Sequence, residues 1–185
     1  MLLDVLVFSL IIAFLRKGKL SRLAEIKFRR IELIIVPFVL QYVLVLAGEK
    51  GVSWFEGWGN YLYLISYTLL LIGIWGNRHI KEMRVFGIGV LLNFLVIAVN
   101  KGKMPVSLEA LKKAGMQDML PLLKSKTYVV HTILTANTKL KFLADIIPLP
   151  PPYPRARVVS VGDIVMGVGI FLLIQNYATE RKLLD

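Results

Sequence analysis

The sequence contains no cysteine, and only two of its 185 residues are histidine. The absence of cysteine excludes a disulfide framework, a thiolate nucleophile and a cysteine-ligated metal site. The two histidines do not stand at the helical spacing of a zinc motif, so the sequence predicts no metal and no cofactor. It also lacks a glycine-rich phosphate loop and a nucleophile elbow, which makes several common enzyme classes poor matches.

Charged residues are also scarce, at 19%, whereas 56% of the residues are hydrophobic and the mean hydropathy is +0.66. A soluble domain could not bury this much apolar surface, so the composition predicts an integral membrane protein. The net charge of +11 is typical of basic residues that flank membrane spans. The expected partner is therefore a bilayer with anionic headgroups and not a nucleic acid.

Five apolar runs predict an all-α membrane fold in a single domain, residues 1–185. We expect the spans at residues 2–15, 31–48, 61–76, 85–99 and 158–178, with an outer polar connection at 100–157. Basic residues follow the first run directly and no small-residue cleavage site follows it, which favours a span over a signal peptide. This charge order predicts an outer N-terminus, and the basic tail Glu180–Lys182 predicts a cytoplasmic C-terminus.

Two segments near the second span have alternative interpretations. Residues 18–30 alternate basic and apolar side chains, as in a short helix on the inner headgroups, although a nucleic-acid segment would look similar. Within the span, Pro37 and Gln41 are one turn apart. This spacing suits either a kinked polar notch or, as the simpler interpretation, an ordinary interhelical hydrogen bond.

The polar residues that could form a site lie on both sides of the long connection. Asn93 and Asn100 share one face of the fourth span, where unpaired amides would be costly in hydrocarbon. Ser160 and Asp163 have capping-box spacing at the start of the fifth span, so Asp163 has a structural explanation at least as strong as a functional one. The nearby Gly162, Gly167 and Gly169 should allow a neighbouring helix to approach closely.

Within the connection, a helix over residues 127–147 would align His131, Thr138 and Asp145 on one stripe. Such a segment would lie at the interface or enter the membrane partway. Ser107 should cap a short helix that Gly115 ends. The prolines between 148 and 154 predict a stiff polyproline spacer.

The same residues carry a resemblance to a known family. The shared residues are Asn100, Gly102, Met104, Pro105, His131, Thr138, Leu143, Asp145, Pro148, Ser160, Gly162 and Asp163, with the early stretch Gly18–Ala24. In this order they resemble an uncharacterised bacterial family of multi-pass membrane proteins, catalogued as a domain of unknown function. The resemblance implies a bacterial inner (plasma) membrane and no particular activity.

The leading functional hypothesis is a transporter or a solute-binding membrane component, possessing an outward pocket for a small anionic or polar ligand. The expected ligand-binding residues are Asn93, Asn100, His131, Thr138, Asp145, Ser160 and Asp163. The alternative is a membrane enzyme that acts on a lipid-linked phosphate, with His131 and Asp145 as its catalytic acid–base pair. A third hypothesis is a non-catalytic assembly or regulatory subunit, with a partner membrane protein or in a homo-oligomer. For His131 itself, the alternative to a catalytic role is that of a hydrogen-bonded structural histidine.

Overall fold

A computed structural model describes residues 1–179; the predicted cytoplasmic tail at 180–182 lies outside the described residues. The α-helices are α1 (Leu2–Leu15), α2 (Glu32–Glu49), α3 (Gly59–Gly76), α4 (Lys81–Val99), α5 (Leu108–Lys113), α6 (Leu120–Lys124) and α7 (Val161–Ala178). The strands, all within the connection between α4 and α7, are β1 (Met104–Val106), β2 (His131–Ile133), β3 (Ile147–Leu149) and β4 (Arg157–Val159).

The helices α2, α4 and α7 are long and apolar enough to cross a membrane, and they suggest membrane association. The other two predicted spans are weaker candidates. Helix α1 has only 14 residues, and α3 carries Asn60, Ser66 and three tyrosines, which lower its hydropathy. The prediction of five spans is thus confirmed only in part: the chain is mostly helical with three candidate spans, and it contains some sheet.

The long helices form a bundle with two chemically different ends. Helices α1 and α7 run parallel, because Asp4 pairs with Arg157 at 2.9 Å near the start of both helices and Arg16 donates to Gln175 at 2.8 Å near their other end. We call the end that carries residues 100–160 the connection end. We call the opposite end, formed by the loops 16–31 and 77–80, the basic end. One continuous apolar core runs between them, from Ile74 to Val130.

Helices α4 and α7 touch at glycines. A Cβ atom on Gly89 would lie 2.5 Å from the carbonyl oxygen of Gly162, and a Cβ on Gly169 would lie 2.6 Å from the backbone nitrogen of Phe86. Gly167 faces Val5 of α1 instead, at 3.3 Å. The predicted close approach of a neighbouring helix is therefore present, and it brings the backbones of α4 and α7 into direct contact.

The connection differs from its prediction. Residues 127–147 contain no α-helix, so the interfacial or re-entrant helix is wrong for this segment. Strand β2 pairs in parallel with β1, Met104 opposite His131. The run Val129, Val130, Thr132 and Ile133 is rich in β-branched residues, which favour an extended backbone. The predicted stiff polyproline conformation of residues 148–154 is also wrong. Instead, β3 and β4 pair antiparallel as a hairpin, with Ile147 opposite Val159.

Smaller predictions have mixed outcomes. The basic segment 18–30 forms only a short 3₁₀ helix, Leu20–Glu25, and the Lys19 amide donates to the Ala178 carbonyl of α7 at 2.8 Å. Gln41 donates to the Ser66 hydroxyl of α3 at 2.9 Å, which is the ordinary interhelical hydrogen bond. The Ser107 hydroxyl caps α5 by accepting from the Ala110 amide at 3.3 Å, as predicted.

Because α4 and α7 are in contact at their glycines, adding one methyl group to Gly169 should destabilise the fold. Gly169→Ala should lower the free energy of unfolding by about 1–3 kcal/mol, because its Cβ meets the Phe86 backbone and the helices must separate. Gly76→Ala is the matched control, since a Cβ there meets nothing within 4 Å. It should be neutral or slightly stabilising. Thermal unfolding of both variants in one detergent tests this, and equal midpoints would contradict it.

Candidate functional site

Strand β1 brings two distant residues onto one face of a small sheet. On one side, Met104 lies opposite His131 of β2. On the other side, Val106 forms a parallel bridge with Asp145, whose amide donates to the Pro105 carbonyl at 2.9 Å. Met104 and Val106 are two positions apart and therefore point to the same face. This register places His131 and Asp145 on that face, with Nε2 of the imidazole 3.8 Å from Oδ2 of the carboxyl group.

Tyr128 orients the His131 ring. The two rings stack with centroids 5.5 Å apart, and the tyrosine hydroxyl lies 3.1 Å from Nδ1. Burial raises the pKa of Tyr128, so its hydroxyl keeps its proton at neutral pH. When this hydroxyl donates to Nδ1, the ring proton is on Nε2 and faces Asp145. Burial also lowers the pKa of His131 to about 4, which favours the neutral imidazole although 27% of the side chain stays exposed.

Asp145 is the most unusual polar group of the described residues. Its side chain is 8% exposed, and its Oδ1 atom is buried with no hydrogen-bond partner there. Burial raises the pKa of Asp145 well above its usual range, and the negative charge of Asp163 raises it further. A buried carboxyl oxygen without a donor is costly. The group therefore favours a proton or an external hydrogen-bond donor.

Asn93, Ser160 and Asp163 form a second cluster where α4 meets the start of α7. The Ser160 hydroxyl accepts from the Asp163 amide at 2.9 Å, and Asp163 Oδ2 accepts from the Ser160 amide at 3.3 Å, so the predicted capping box is present. The Asn93 amide bridges both residues. It donates to Asp163 Oδ1 at 2.9 Å and accepts from the Ser160 hydroxyl at 2.7 Å. Asn93 thus has a partner, as expected for an amide within a membrane helix.

Two buried tyrosines of α3 lie between the clusters. The rings of Tyr63 and Tyr67 meet edge to face, with centroids 5.3 Å apart, and 7% and 6% of the two residues are exposed. Both lie within electrostatic range of Asp145 and Asp163. The two clusters and the tyrosines therefore form one region at the connection end. We call it the acidic cluster: Tyr63, Tyr67, Asn93, Tyr128, His131, Asp145, Ser160 and Asp163.

The remaining predicted site residues make local hydrogen bonds. Asn100 donates to the Lys139 carbonyl at 2.9 Å and accepts from the Lys139 amide at 3.0 Å, which fastens the connection to the end of α4. The Thr138 hydroxyl accepts from the Thr135 amide at 2.9 Å within an exposed turn. Neither bond reaches the acidic cluster, so ligand binding by Asn100 and Thr138 remains a prediction.

Sequence reasoning missed the three tyrosines of the acidic cluster. None of the three was among the expected ligand-binding residues. The available signal was position: Tyr63 and Tyr67 are one turn apart on α3, and Tyr128 is three residues before His131. Within residues 1–179, no group of three or more His, Cys, Asp or Glu side chains has an arrangement that could hold a metal ion.

Comparison with known proteins gives the chain a family. A family model described as a family of unknown function, DUF5317, matches residues 25–175. The chain belongs to this family. It is also 30% identical over 172 residues to an uncharacterized protein of Thermotoga maritima, with 93% of this chain and 89% of the relative covered. No solved structure matches. The resemblance to an uncharacterised family is thereby confirmed.

The acidic cluster of this DUF5317 protein predicts two opposite pH effects on stability. The folded pKa of Asp145 lies above its unfolded value, so its contribution is full at low pH and is lost as pH rises through the folded pKa. The folded pKa of His131, about 4, lies below the usual 6.5, so its contribution is present above about pH 6.5 and is lost toward pH 4. Asp145→Asn should remove the first dependence and His131→Gln the second.

Thermal unfolding of detergent-purified protein, measured from about pH 4 to pH 9, checks both effects. The exposed Asp118 and the exposed His79 provide matched controls, Asp118→Asn and His79→Gln, which remove the same group types elsewhere. The assignment fails if both cluster variants keep the wild-type pH profile.

Proposed function

We propose that this protein binds a small polar solute in the acidic cluster and serves as a membrane transporter or as a solute-binding membrane component. The single observation that carries the proposal is Asp145 Oδ1, a buried carboxyl oxygen without a hydrogen-bond donor among the described residues. Buried polar groups in folded proteins are nearly always satisfied, and an exception in a cluster of titratable side chains is typical of a functional site.

The chemistry of the cluster favours a solute that donates hydrogen bonds. The sequence left both an anionic and a polar ligand open. Asp145 and Asp163 present acceptor oxygens, and a negatively charged solute beside them would be repelled. A hydroxyl or ammonium group would satisfy Asp145 Oδ1. An ammonium group would also take the place of the proton on Asp145.

Exposure supports a direction of entry. His131 keeps 27% of its side-chain surface exposed, whereas Asp145 behind it keeps 8%. The imidazole thus stands at the entrance and the carboxyl group at the inner end. The basic end carries Arg16, Lys17, Lys19, Arg22, Lys27, Arg29, Arg30 and Arg78, and Lys81 and Arg84 follow at the start of α4. The long connection is also rich in lysine, but the rule that basic residues face the cytoplasm applies to short loops such as those of the basic end. By that rule the entrance faces outward.

The enzyme alternative has less support. Attack on a lipid-linked phosphate needs cations that stabilise the phosphate charge, yet the cluster itself is acidic. Lys103 extends toward this region, but its ammonium group donates to the Tyr128 carbonyl at 3.4 Å. A neutral His131 is a competent base, so loss of turnover in a folded His131→Ala variant would favour the enzyme. An assembly subunit would instead show a stoichiometric partner in pull-down.

The proposal predicts a ligand whose binding depends on Asp145. Purified protein is screened by thermal shift against small amines, polyols, amino acids and organic acids, and hits are measured by titration calorimetry. Asp145→Asn should weaken a hit by about tenfold or more, the usual size of one charge-assisted hydrogen bond. For an ammonium solute, the affinity should also increase with pH, because binding releases the proton that the raised pKa of Asp145 retains.

Asp118→Asn is the control, since Asp118 is exposed in the same connection and should leave the affinity unchanged. Uptake of a confirmed hit into proteoliposomes separates a transporter from a binding component. Hits that bind Asp145→Asn and wild type equally, or the absence of any hit, would refute the proposal.

A further inference from the structure

A groove with three arginines lies at the basic end, far from the acidic cluster. It runs between α2 and α3 and has a cavity volume of about 290 Å³. Its polar lining is Arg29, Arg30 and Arg78, and its apolar walls include Leu33, Ile72 and Trp75. None of its lining residues, within the part of the chain that the structure describes, is an aspartate or a glutamate. The groove therefore has three arginines in its lining together with hydrocarbon walls.

A buried asparagine holds these arginines in place. Asn77, fully buried at the end of α3, accepts from the Arg29 amide at 2.7 Å and donates to the Arg29 carbonyl at 2.8 Å. It also donates to the Gly73 carbonyl at 2.8 Å. The loop before α2 is thus fixed against α3, and Arg78 follows Asn77 directly. This contact brings Arg29 and Arg78 to the same groove, and Arg30 follows Arg29 directly in the sequence.

Trp75 and Arg78 form a ridge between this groove and a second one. The Arg78 guanidinium lies 4.8 Å from the centre of the Trp75 ring. Beyond the ridge, a cavity of about 330 Å³ between α3 and α4 is lined by Leu71, Ile88 and Leu91 together with Arg78 and Arg84. The charge therefore continues past the ridge, and so do the apolar walls.

We propose that the groove between α2 and α3 is a specific site for a phospholipid with an anionic headgroup. The guanidinium groups of Arg29, Arg30 and Arg78 bind the phosphate, for which the planar fork of arginine is well suited. The acyl chains lie along Leu33 and Ile72 and continue over the outer face of α3. Basic pockets between membrane helices are suited to anionic headgroups.

The apolar walls favour a lipid over free phosphate. Ile72 and Trp75 are 52% and 69% exposed on the outer surface of α3. In a protein that associates with membranes, this surface meets acyl chains, so headgroup and chains of one molecule fit adjacent parts of the same groove. A soluble phosphate would leave the hydrocarbon walls unused. The site is independent of the solute proposed for the acidic cluster.

The natural tryptophans allow a local test. The chain has three, Trp54, Trp58 and Trp75, and the first two lie at the connection end. In a Trp54→Phe/Trp58→Phe variant, fluorescence reports from the groove alone. Quenching by dibrominated phosphatidylglycerol should reach half-maximum at an about fivefold lower mole fraction than quenching by dibrominated phosphatidylcholine.

Two sets of substitutions decide whether the arginines are responsible. Added to this variant, Arg29→Gln, Arg30→Gln and Arg78→Gln should reduce the preference to about onefold. Lys112→Gln, Lys124→Gln and Lys126→Gln remove the same charge from exposed positions at the opposite end and should leave it intact. If the glutamine triple does not fold, the lysine triple at the same arginines should retain charge yet reduce the preference, because bidentate binding is lost.

Three outcomes would overturn the proposal. The first is equal quenching by the two lipids. The second is loss of the preference in the connection-end lysine variant, which would mean diffuse attraction. The third is complete loss of the preference on addition of inorganic phosphate, which would identify a site for the free anion.

Discussion

The direct backbone contact between α4 and α7 is the constraint on which the site depends. Gly89 and Gly162 let the two backbones approach each other closely. This proximity brings the Asn93 amide onto both members of the capping box, Ser160 and Asp163. A helix start is normally a local structure. Here it is completed by a residue 67 positions away, so the beginning of α7 and its acid are fixed by tertiary packing.

Asparagine amides fix the two ends of the bundle in the same manner. Asn77 ends α3 and binds both backbone groups of Arg29, and Asn100 ends α4 and binds both backbone groups of Lys139. A side-chain amide offers a donor and an acceptor side by side, so it can bond both backbone groups of one residue, as a neighbouring β-strand would. The terminal turns of helices have free carbonyls that need partners, and both amides also donate to one of these, at Gly73 and Val96. The loops that contain Arg29 and Lys139 are thereby fixed to the ends of α3 and α4.

Local signals in the sequence were sufficient for the helices and insufficient for the connection. Apolar runs located the long helices within a few residues, and the spacing of Ser160 and Asp163 gave the capping box. The sheet of β1 and β2 has only three residues in each strand, and its pairing joins Met104 to His131, which no local pattern encodes. His131 and Asp145 were selected for a helical stripe that would separate them by roughly 21 Å. They are instead 3.8 Å apart across β1. The helical stripe was therefore the wrong reason to expect them together, and their role as site residues stays a prediction.

The two ends of the bundle carry different side chains: the arginine groove lies at the basic end, and the acidic cluster lies at the connection end. A helix of 18 residues, the length of α2 and α7, extends roughly 27 Å, close to the thickness of the hydrocarbon core. If the arginine groove binds headgroups at one face, the acidic cluster lies near the headgroup level of the other. On that geometry His131 lies at the level of the headgroups, and Asp145 lies behind it, where burial raises its pKa. The arginine groove and the acidic cluster then lie at opposite faces, so a lipid at one does not compete with a solute at the other.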